Sequence, residues 1–187
     1  SGIHVEHDFV EMPSQLFELW LTDRQILREL SSYYTNDAGH RAGEALPEEL
    51  ITALIESERF GMAYFVSSQA VFANMSLQCY LGQEPVDTTA LWHELSARHL
   101  PCMITGEWDN GHASVMHFVL YDAQYYCYLW SEVFAHDCFE KIKAHGLRNG
   151  EIGAKFVRDI LGRGGSVPAS QMLRDFLGRE PSTDAFF

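Results

Sequence analysis

The sequence lacks the features that identify several large classes of protein. Its longest apolar runs are far too short to span a bilayer, so no membrane-spanning segment is expected. It contains no cluster of lysine and arginine, and its formal net charge is −13. Nucleic-acid phosphates and anionic membrane surfaces both attract concentrated positive charge, so neither is expected as a partner. No signal-peptide pattern opens the sequence.

The patterns of common catalytic and metal sites are also missing. The four cysteines show no Cys-x-x-Cys spacing, which argues against a metal knuckle and favours a reducing compartment such as the cytoplasm. No glycine-rich phosphate loop precedes a helix, and no Gly-x-Ser-x-Gly nucleophile elbow occurs. The His-Glu-x-x-His helix of metalloproteases, whose two histidines lie one turn apart and face one ion, is absent too.

Two pairs of residues come nearest to a metal motif. His93 and His99 are six residues apart, so on a helix they point in well-separated directions, and a polar surface helix is the favoured interpretation. Glu132 and His136 have one-turn spacing, which suits a local ion pair or two metal ligands, and the ion pair is favoured.

Turning to what is present, the 187 residues are 47% hydrophobic and 21% charged, a globular composition. This length suffices for one domain with a sizeable core, or for part of a larger one. Hydrophobic residues recur at helical spacing, and no run alternates as a strand does. The sequence therefore predicts an all-α fold and a single helical domain over residues 1–187.

The predicted helices are bounded by proline, glycine and capping residues. They are a helix that includes Met12, Leu16 and Trp20, then Thr22–Tyr34, Pro47–Arg59, Met62–Tyr80, Thr88–His99, Tyr121–His145, Glu151–Leu161, and a last helix capped by Ser166 or Ser170 and reaching Leu177. Two segments, Thr35–Ala45 and Leu100–Ser114, are predicted loops, and Gly146 is predicted to end the longest aromatic helix.

The stretch from Tyr121 to Val133 contains four tyrosines within eight residues. On a helix, Tyr121, Tyr125 and Tyr128 share one face, with Glu132 one turn further on. Two interpretations are open: the tyrosines are core aromatics with satisfied hydroxyls, or they present phenol hydroxyls to a cleft.

Three segments resemble the C-terminal part of the thimet oligopeptidase and neurolysin family, the M3 family of zinc oligopeptidases. They lie in the same order as in that family and together cover nearly the whole chain. The segments are Asp8-Phe9-Val10-Glu11-Met12-Pro13-Ser14-Gln15, then Tyr121–Val133, and then an ending made of Gly164-Gly165-Ser166, Leu173–Pro181 and Asp184-Ala185-Phe186.

The resemblance implies a mostly helical, zincin-like fold with a deep channel, one zinc ion and cleavage of short peptides. It implies that Glu11 is a zinc ligand, although the position alone suits an acid at a helix N-terminus. It also implies that His117, Tyr125 and Tyr128 act in catalysis, and that Tyr121 and His117 hold the substrate. Phenol and imidazole donors would stabilise the oxyanion. For His117 the alternative is a core histidine with a backbone partner.

The sequence departs from the family pattern in three respects. Phe118-Val119-Leu120 stands where the family usually carries a Gly-Gly pair, so a mobile loop has become bulky. Cys127 occupies a position where a small residue is usual. The family's His-Glu-x-x-His helix, with two zinc ligands and the general base, lies before the point that matches Ser1.

Two hypotheses follow. In the first, the chain is the C-terminal part of a zinc oligopeptidase, is inactive alone, and could self-associate through an apolar face that normally packs on the rest of the protein. In the second, it is a non-catalytic peptide-binding or interaction module that has lost the metal site.

Overall fold

The computed structural model describes residues 4–31, 45–82, 84–104 and 106–187. None of these residues lies in a β-strand, so the predicted all-α class is confirmed. The α-helices of these ranges are α1 (Met12–Glu18), α2 (Arg24–Ser31), α3 (Glu48–Arg59), α4 (Met62–Leu81), α5 (Thr88–His99), α6 (His117–Leu120), α7 (Cys127–His145), α8 (Gly150–Phe156) and α9 (Ala169–Leu177).

Side-chain caps and left-handed glycines set several of the helix ends. Asp23 caps α2 by accepting hydrogen bonds from the backbone N–H groups of Gln25 and Ile26, both at 3.0 Å. Gly61 (φ 79°) precedes α4, and Gly146 (φ 97°) ends α7 as predicted. The start of α3 after Pro47 and the full extent of α5 are confirmed as well.

The end predicted for the second helix at Tyr34, and nearly all of the loop predicted over Thr35–Ala45, lie outside the described residues.

Three local predictions are wrong. The last helix is capped by neither Ser166 nor Ser170: Pro168 precedes it, and its first N–H donates to Glu6 Oε1 at 2.9 Å. The helix predicted over Glu151–Leu161 is α-helical only to Phe156 and continues as a π-helical turn, Val157–Leu161. The loop predicted over Leu100–Ser114 ends in a short 3-10 helix, Gly111–Ser114.

The helix predicted over Tyr121–His145 is also wrong at its start. Tyr121 ends the short helix α6, and α7 begins only at Cys127. Between them Asp122 has a left-handed backbone (φ 47°), and its carbonyl accepts a hydrogen bond from Ser76 on α4. A left-handed residue cannot continue a right-handed helix, so the chain turns here.

Two hydrophobic clusters form the core, and α7 contributes to both. In the first, Ala135, Cys138 and Ile142 of α7 pack on α1, α8 and α9. In the second, Tyr125 just before α7 and Tyr128 in its first turn pack with α4 and α5. The site described next lies where the start of α7 passes between α1 and the second cluster.

No helix in the described ranges is long and apolar enough to cross a membrane.

Candidate functional site

The turn before α7 gathers one histidine and three tyrosines. The ring centroid of His117 lies 5.2 Å from that of Tyr121, 5.8 Å from that of Tyr125 and 5.7 Å from that of Tyr128. Each tyrosine ring meets the imidazole nearly perpendicular, an arrangement that aromatic pairs favour. The predicted site residues are therefore adjacent, but a tight turn brings Tyr121 to the others where the sequence predicted a helical face.

Tyr125 and Tyr128 have different surroundings. Tyr125 is buried, and its hydroxyl donates a hydrogen bond of 3.2 Å to Gln69 Oε1 on α4, so the core interpretation describes its geometry. Tyr128 stacks on Tyr121 with centroids 5.9 Å apart. Burial raises the pKa of Tyr128 far above its ordinary value, and Tyr121 and Glu11 raise it further. Tyr128 therefore stays protonated at neutral pH and can act only as a neutral donor or acceptor.

Helix α1 places Glu11 beside these rings. Gln15 on α1 donates from Nε2 to the carbonyl of Tyr128 at 3.1 Å, and Ser131 on α7 donates to the carbonyl of Asp8 at 2.8 Å. These two bonds hold the first segment against the start of α7. The charge of Glu11 is close enough to raise the pKa of Tyr128. Burial, with a smaller contribution from the charge of Glu11, raises the pKa of the Cys127 thiol to about 11. Glu11 therefore lies within electrostatic range of Tyr128 and Cys127.

Sequence reasoning missed two residues of the site. His7 packs edge-on against Tyr121 with centroids 4.6 Å apart, and Gln69 holds the hydroxyl of Tyr125. His7 stands immediately before the first family-like segment, and Gln69 is a polar residue within a long apolar helix. Each position is noticeable in the sequence, but neither residue belongs to a motif with a recognisable spacing, so the sequence did not predict a role for it.

The metal implied by the resemblance can be tested against the donors present. In the part of the chain that the structure describes, no three His, Cys, Asp or Glu side chains converge on a point that could hold a metal ion. Glu11 is half-buried. Among the described residues, its carboxylate accepts only one hydrogen bond, a long one of 3.4 Å from the hydroxyl of Ser14. A carboxylate oxygen is a common zinc ligand, so Glu11 fits as one ligand of a larger set that these residues do not complete.

The segment Phe118-Val119-Leu120 has a defined conformation. Residues His117–Leu120 form one helical turn, in which Phe118 is buried against Tyr125 while Val119 and Leu120 are exposed. The hydroxyl of Tyr80 donates to the carbonyl of Phe118 at 2.8 Å. The segment is therefore held in place by the contact of Phe118 with Tyr125 and by the hydrogen bond from Tyr80.

The pair Glu132 and His136 is not joined by a hydrogen bond or ion pair among the described residues. His136 instead packs edge-on against Phe186 of the C-terminal tail, with centroids 5.6 Å apart. Burial lowers the pKa of His136 and raises that of Glu132. The favoured interpretation of a local ion pair is therefore wrong, because His136 packs against Phe186 and forms no ion pair with Glu132.

Comparison with known proteins identifies relatives that align with nearly all of the chain. The chain is 35% identical over 190 residues to a thimet-like oligopeptidase of Dictyostelium discoideum, an alignment that covers 100% of this chain and 27% of that protein. It is 34% identical over 186 residues to saccharolysin of Saccharomyces cerevisiae, covering 97% of this chain and 25% of that protein. It is 31% identical over 190 residues to oligopeptidase A of Escherichia coli, an alignment that covers 99% of this chain and 27% of that protein.

The chain thus spans about a quarter of the length of these relatives. The sequence profile of Peptidase family M3 matches residues 1–187 in full. The resemblance inferred from the three segments is confirmed, and the chain belongs to Peptidase family M3.

Proposed function

We propose that this chain supplies part of the active site of a zinc-dependent oligopeptidase that cleaves short peptides internally. The observation that carries the proposal is the cluster of His117, Tyr121 and Tyr128 beside the start of α1, where the charge of Glu11 is close enough to raise the pKa of Tyr128. Bound zinc would polarise the scissile carbonyl and acidify its water.

The chain's own residues have distinct roles in this proposal. Glu11 is one metal ligand. Tyr128 and Tyr121 donate hydrogen bonds to the carbonyl oxygen as it gains negative charge. Tyr128 suits this role because burial raises its pKa and keeps its hydroxyl protonated. His117 contacts all three tyrosine rings and orients them around the peptide. Tyr125, whose hydroxyl is held by Gln69, fixes the wall of the site.

We also propose that the 187-residue chain is inactive by itself, because no three candidate metal ligands converge among the described residues. Purified chain supplied with zinc should bind a quenched-fluorescence peptide without cleaving it. Cleavage that a chelator abolishes would contradict this part of the proposal.

A chimaera tests the enzymatic role directly. The chain replaces the aligned segment of the Dictyostelium thimet-like oligopeptidase, which it matches over its whole length. We expect the chimaera to bind zinc and cleave the peptide internally, as mass spectrometry of the products will show. Glu11→Gln should lower both zinc content and cleavage to background. Glu18→Gln, an exposed acid on the same helix, is the matched control and should leave both unchanged.

A second candidate function is a non-catalytic peptide-binding module. The observation that favours it is the anchored turn His117–Leu120, which has lost the freedom of the glycine pair. A folded chimaera that binds peptide and zinc but cleaves nothing would support this candidate and contradict the first.

Short peptides are the proposed partners, and a reducing compartment such as the cytoplasm is the proposed location. All four cysteines are free thiols, as expected where thiols stay reduced.

A further inference from the structure

The turn that carries His117 and Tyr121 is not stable through its own local structure. Its helical part, α6, has four residues, and a single helical turn does not persist in water without outside support. Val119 and Leu120 are 76% and 65% exposed, so they contribute little burial. The turn closes at Asp122 in a left-handed conformation (φ 47°), which is unfavourable for a residue with a Cβ. Contacts from elsewhere in the chain must therefore hold it.

Helix α4 provides such contacts through two hydroxyl groups. The hydroxyl of Tyr80 donates to the carbonyl of Phe118 at 2.8 Å. The hydroxyl of Ser76 donates to the carbonyl of Asp122. Ser76 and Tyr80 are four residues apart and therefore lie on the same face of α4. Burial, together with the charge of the neighbouring Asp122 carboxylate, raises the pKa of Tyr80, so its hydroxyl stays protonated and remains a donor.

A third polar side chain lies on the same face of α4. Gln69 precedes Ser76 by seven residues, or about two helical turns, and its Oε1 accepts from the hydroxyl of Tyr125 at 3.2 Å. Gln69, Ser76 and Tyr80 thus form one line along a largely apolar helix, which we call the α4 polar stripe. Each of its members bonds to the segment 118–125.

The α4 polar stripe sets where the rings of the site lie relative to one another. His117 and Tyr121 belong to the turn, whereas Tyr128 belongs to the first turn of α7. The ring centroid of Tyr128 is 5.7 Å from that of His117 and 5.9 Å from that of Tyr121. These contacts join two separate elements, so they depend on how α4 holds the turn.

We propose that the α4 polar stripe is a set of positioning residues, which hold the histidine and tyrosine rings of the site in their orientation before a peptide binds. The inference rests on the proposed function only in taking those rings to contact the peptide; the hold itself does not require catalysis. Preorganised donors stabilise developing charge because they need no rearrangement at the moment of reaction. In this scheme the turn needs no closing step, since its geometry is already fixed.

Two tyrosines of α4 provide the variant and its matched control. Tyr80 and Tyr64 are 46% and 45% exposed, and the hydroxyl of Tyr64 donates to Met103 Sδ rather than to the turn. Each Tyr→Phe change removes one hydroxyl and keeps the ring. The amides of residues 119–121 donate within the turn, so their exchange with deuterium, followed by NMR in the 187-residue chain, reports on its opening.

We expect these amides to exchange about fivefold faster in Tyr80→Phe, the ratio that corresponds to one lost hydrogen bond. Tyr64→Phe should leave their exchange unchanged. Exchange at the unprotected rate in the unmodified chain, or at the same rate in Tyr80→Phe, would overturn the inference.

The imidazole of His117 gives a second readout that does not depend on activity. Three tyrosine ring centroids lie 5.2 to 5.8 Å from it, so ring currents displace its proton resonances from those of free histidine. Ser76→Ala removes the other bond to the turn, and both it and Tyr80→Phe should move these resonances towards the free values. Tyr64→Phe should not move them. Resonances that stay in place in Tyr80→Phe, which decides alone if Ser76→Ala does not fold, would overturn the inference.

Kinetics of the chimaera separate this inference from the enzymatic proposal. Donors that act in the transition state affect kcat rather than KM, so Tyr80→Phe should lower kcat about fivefold and change KM by less than about twofold. Tyr64→Phe should change neither. A kcat unaffected by Tyr80→Phe in an active chimaera would overturn the positioning role. Faster exchange in Tyr80→Phe together with a chimaera that cleaves nothing would contradict the enzyme and leave the hold standing.

Discussion

The imidazole of His7 meets the ring of Tyr121 edge-on, with centroids 4.6 Å apart and planes inclined by 85°. Tyr121 therefore lies between two histidines, because His117 contacts it as well. The Nε2 atom of His7 is buried and has no hydrogen-bond partner among the residues described. An unpaired buried nitrogen is a cost to the fold, and such costs are common where a site awaits a ligand.

Replacing His7 therefore separates stability from function. His7→Phe keeps an aromatic ring against Tyr121 and removes the unpaired nitrogen, so we expect the free energy of unfolding to rise by up to about 1 kcal/mol. The same change should lower peptide cleavage by the chimaera. Urea denaturation measures the first effect and initial rates the second. A stability loss as large as that of His7→Ala would show that the nitrogen is already satisfied.

The sequence predicted the existence of the helices well, since long apolar periodicity reports directly on burial. The segment that contains Tyr121, Tyr125 and Tyr128 shows what periodicity could not predict. The spacing of Tyr121, Tyr125 and Tyr128 suits a helical face, but the left-handed Asp122 and its bond with Ser76 impose a turn. That bond joins residues 46 positions apart, so no local pattern could reveal it. Glu6 capping α9 is a second case of a long-range contact overriding the nearest local candidates.

Gly165 is expected to tolerate no side chain. A Cβ built there would lie 1.8 Å from the backbone carbonyl oxygen of His4, a clash that only a backbone shift could relieve. We expect Gly165→Ala to lower the free energy of unfolding by about 2 kcal/mol or more, as overpacking does. Gly153→Ala is the control, because its Cβ would meet nothing within 4 Å in α8, and it should raise stability by up to about 1 kcal/mol. Similar effects of the two changes on the urea midpoint would contradict this account.

The C-terminal tail is fixed to α7 by one buried carboxylate. Asp137 is 1% exposed and accepts hydrogen bonds from Arg179, one of them at 2.9 Å, and from the N–H of Ser182 at 2.8 Å. Arg179→Ala leaves that carboxylate without its cation, and we expect a loss of about 3 kcal/mol in thermal or urea unfolding. Arg174→Ala removes the exposed pair with Glu180, at 3.6 Å, and a hydrogen bond of 3.2 Å to Gln171, and should cost less than about 1 kcal/mol. A comparable loss from both variants would refute a special role for Asp137.

The ion pair between Arg163 and Asp175 should make stability depend on acid pH. The Arg163 guanidinium, with help from Gln171, holds the pKa of Asp175 below its ordinary value of 3.8. The unfolded chain therefore binds more protons than the folded chain in this range, so the contribution of the pair is complete above about pH 5 and is lost as pH falls below 4.

Urea titrations of the unmodified chain and of Arg163→Gln between pH 3 and 7 measure this effect. The difference in unfolding free energy should be constant from pH 5 to 7 and should narrow towards pH 3. A difference that widens as the solution becomes more acidic would contradict the sign.

Exposed aromatic and aliphatic side chains at the junction of α3 and α4 should promote self-association. Phe60 is 92% exposed, and Met62, Tyr64 and Phe65 are each more than 40% exposed. Exposed apolar patches mark interaction surfaces or aggregation sites. Light scattering after size-exclusion chromatography should show a mass that rises with concentration, and Phe60→Ser with Phe65→Ser should reduce that rise. A monomeric mass at every concentration for the unmodified chain would contradict this expectation.

Residues 4–8 are held by four closely spaced contacts. The backbone of His4 packs against Gly165, and the Glu6 carboxylate accepts from the first N–H of α9. The ring of His7 packs against Tyr121, and the carbonyl of Asp8 accepts from Ser131. This short segment leaves no slack before Glu11. A single inserted residue would displace the Glu11 carboxylate by roughly 3 Å, more than the bond to the metal proposed above can accommodate. The length of this segment therefore sets where the Glu11 carboxylate lies relative to the start of α7.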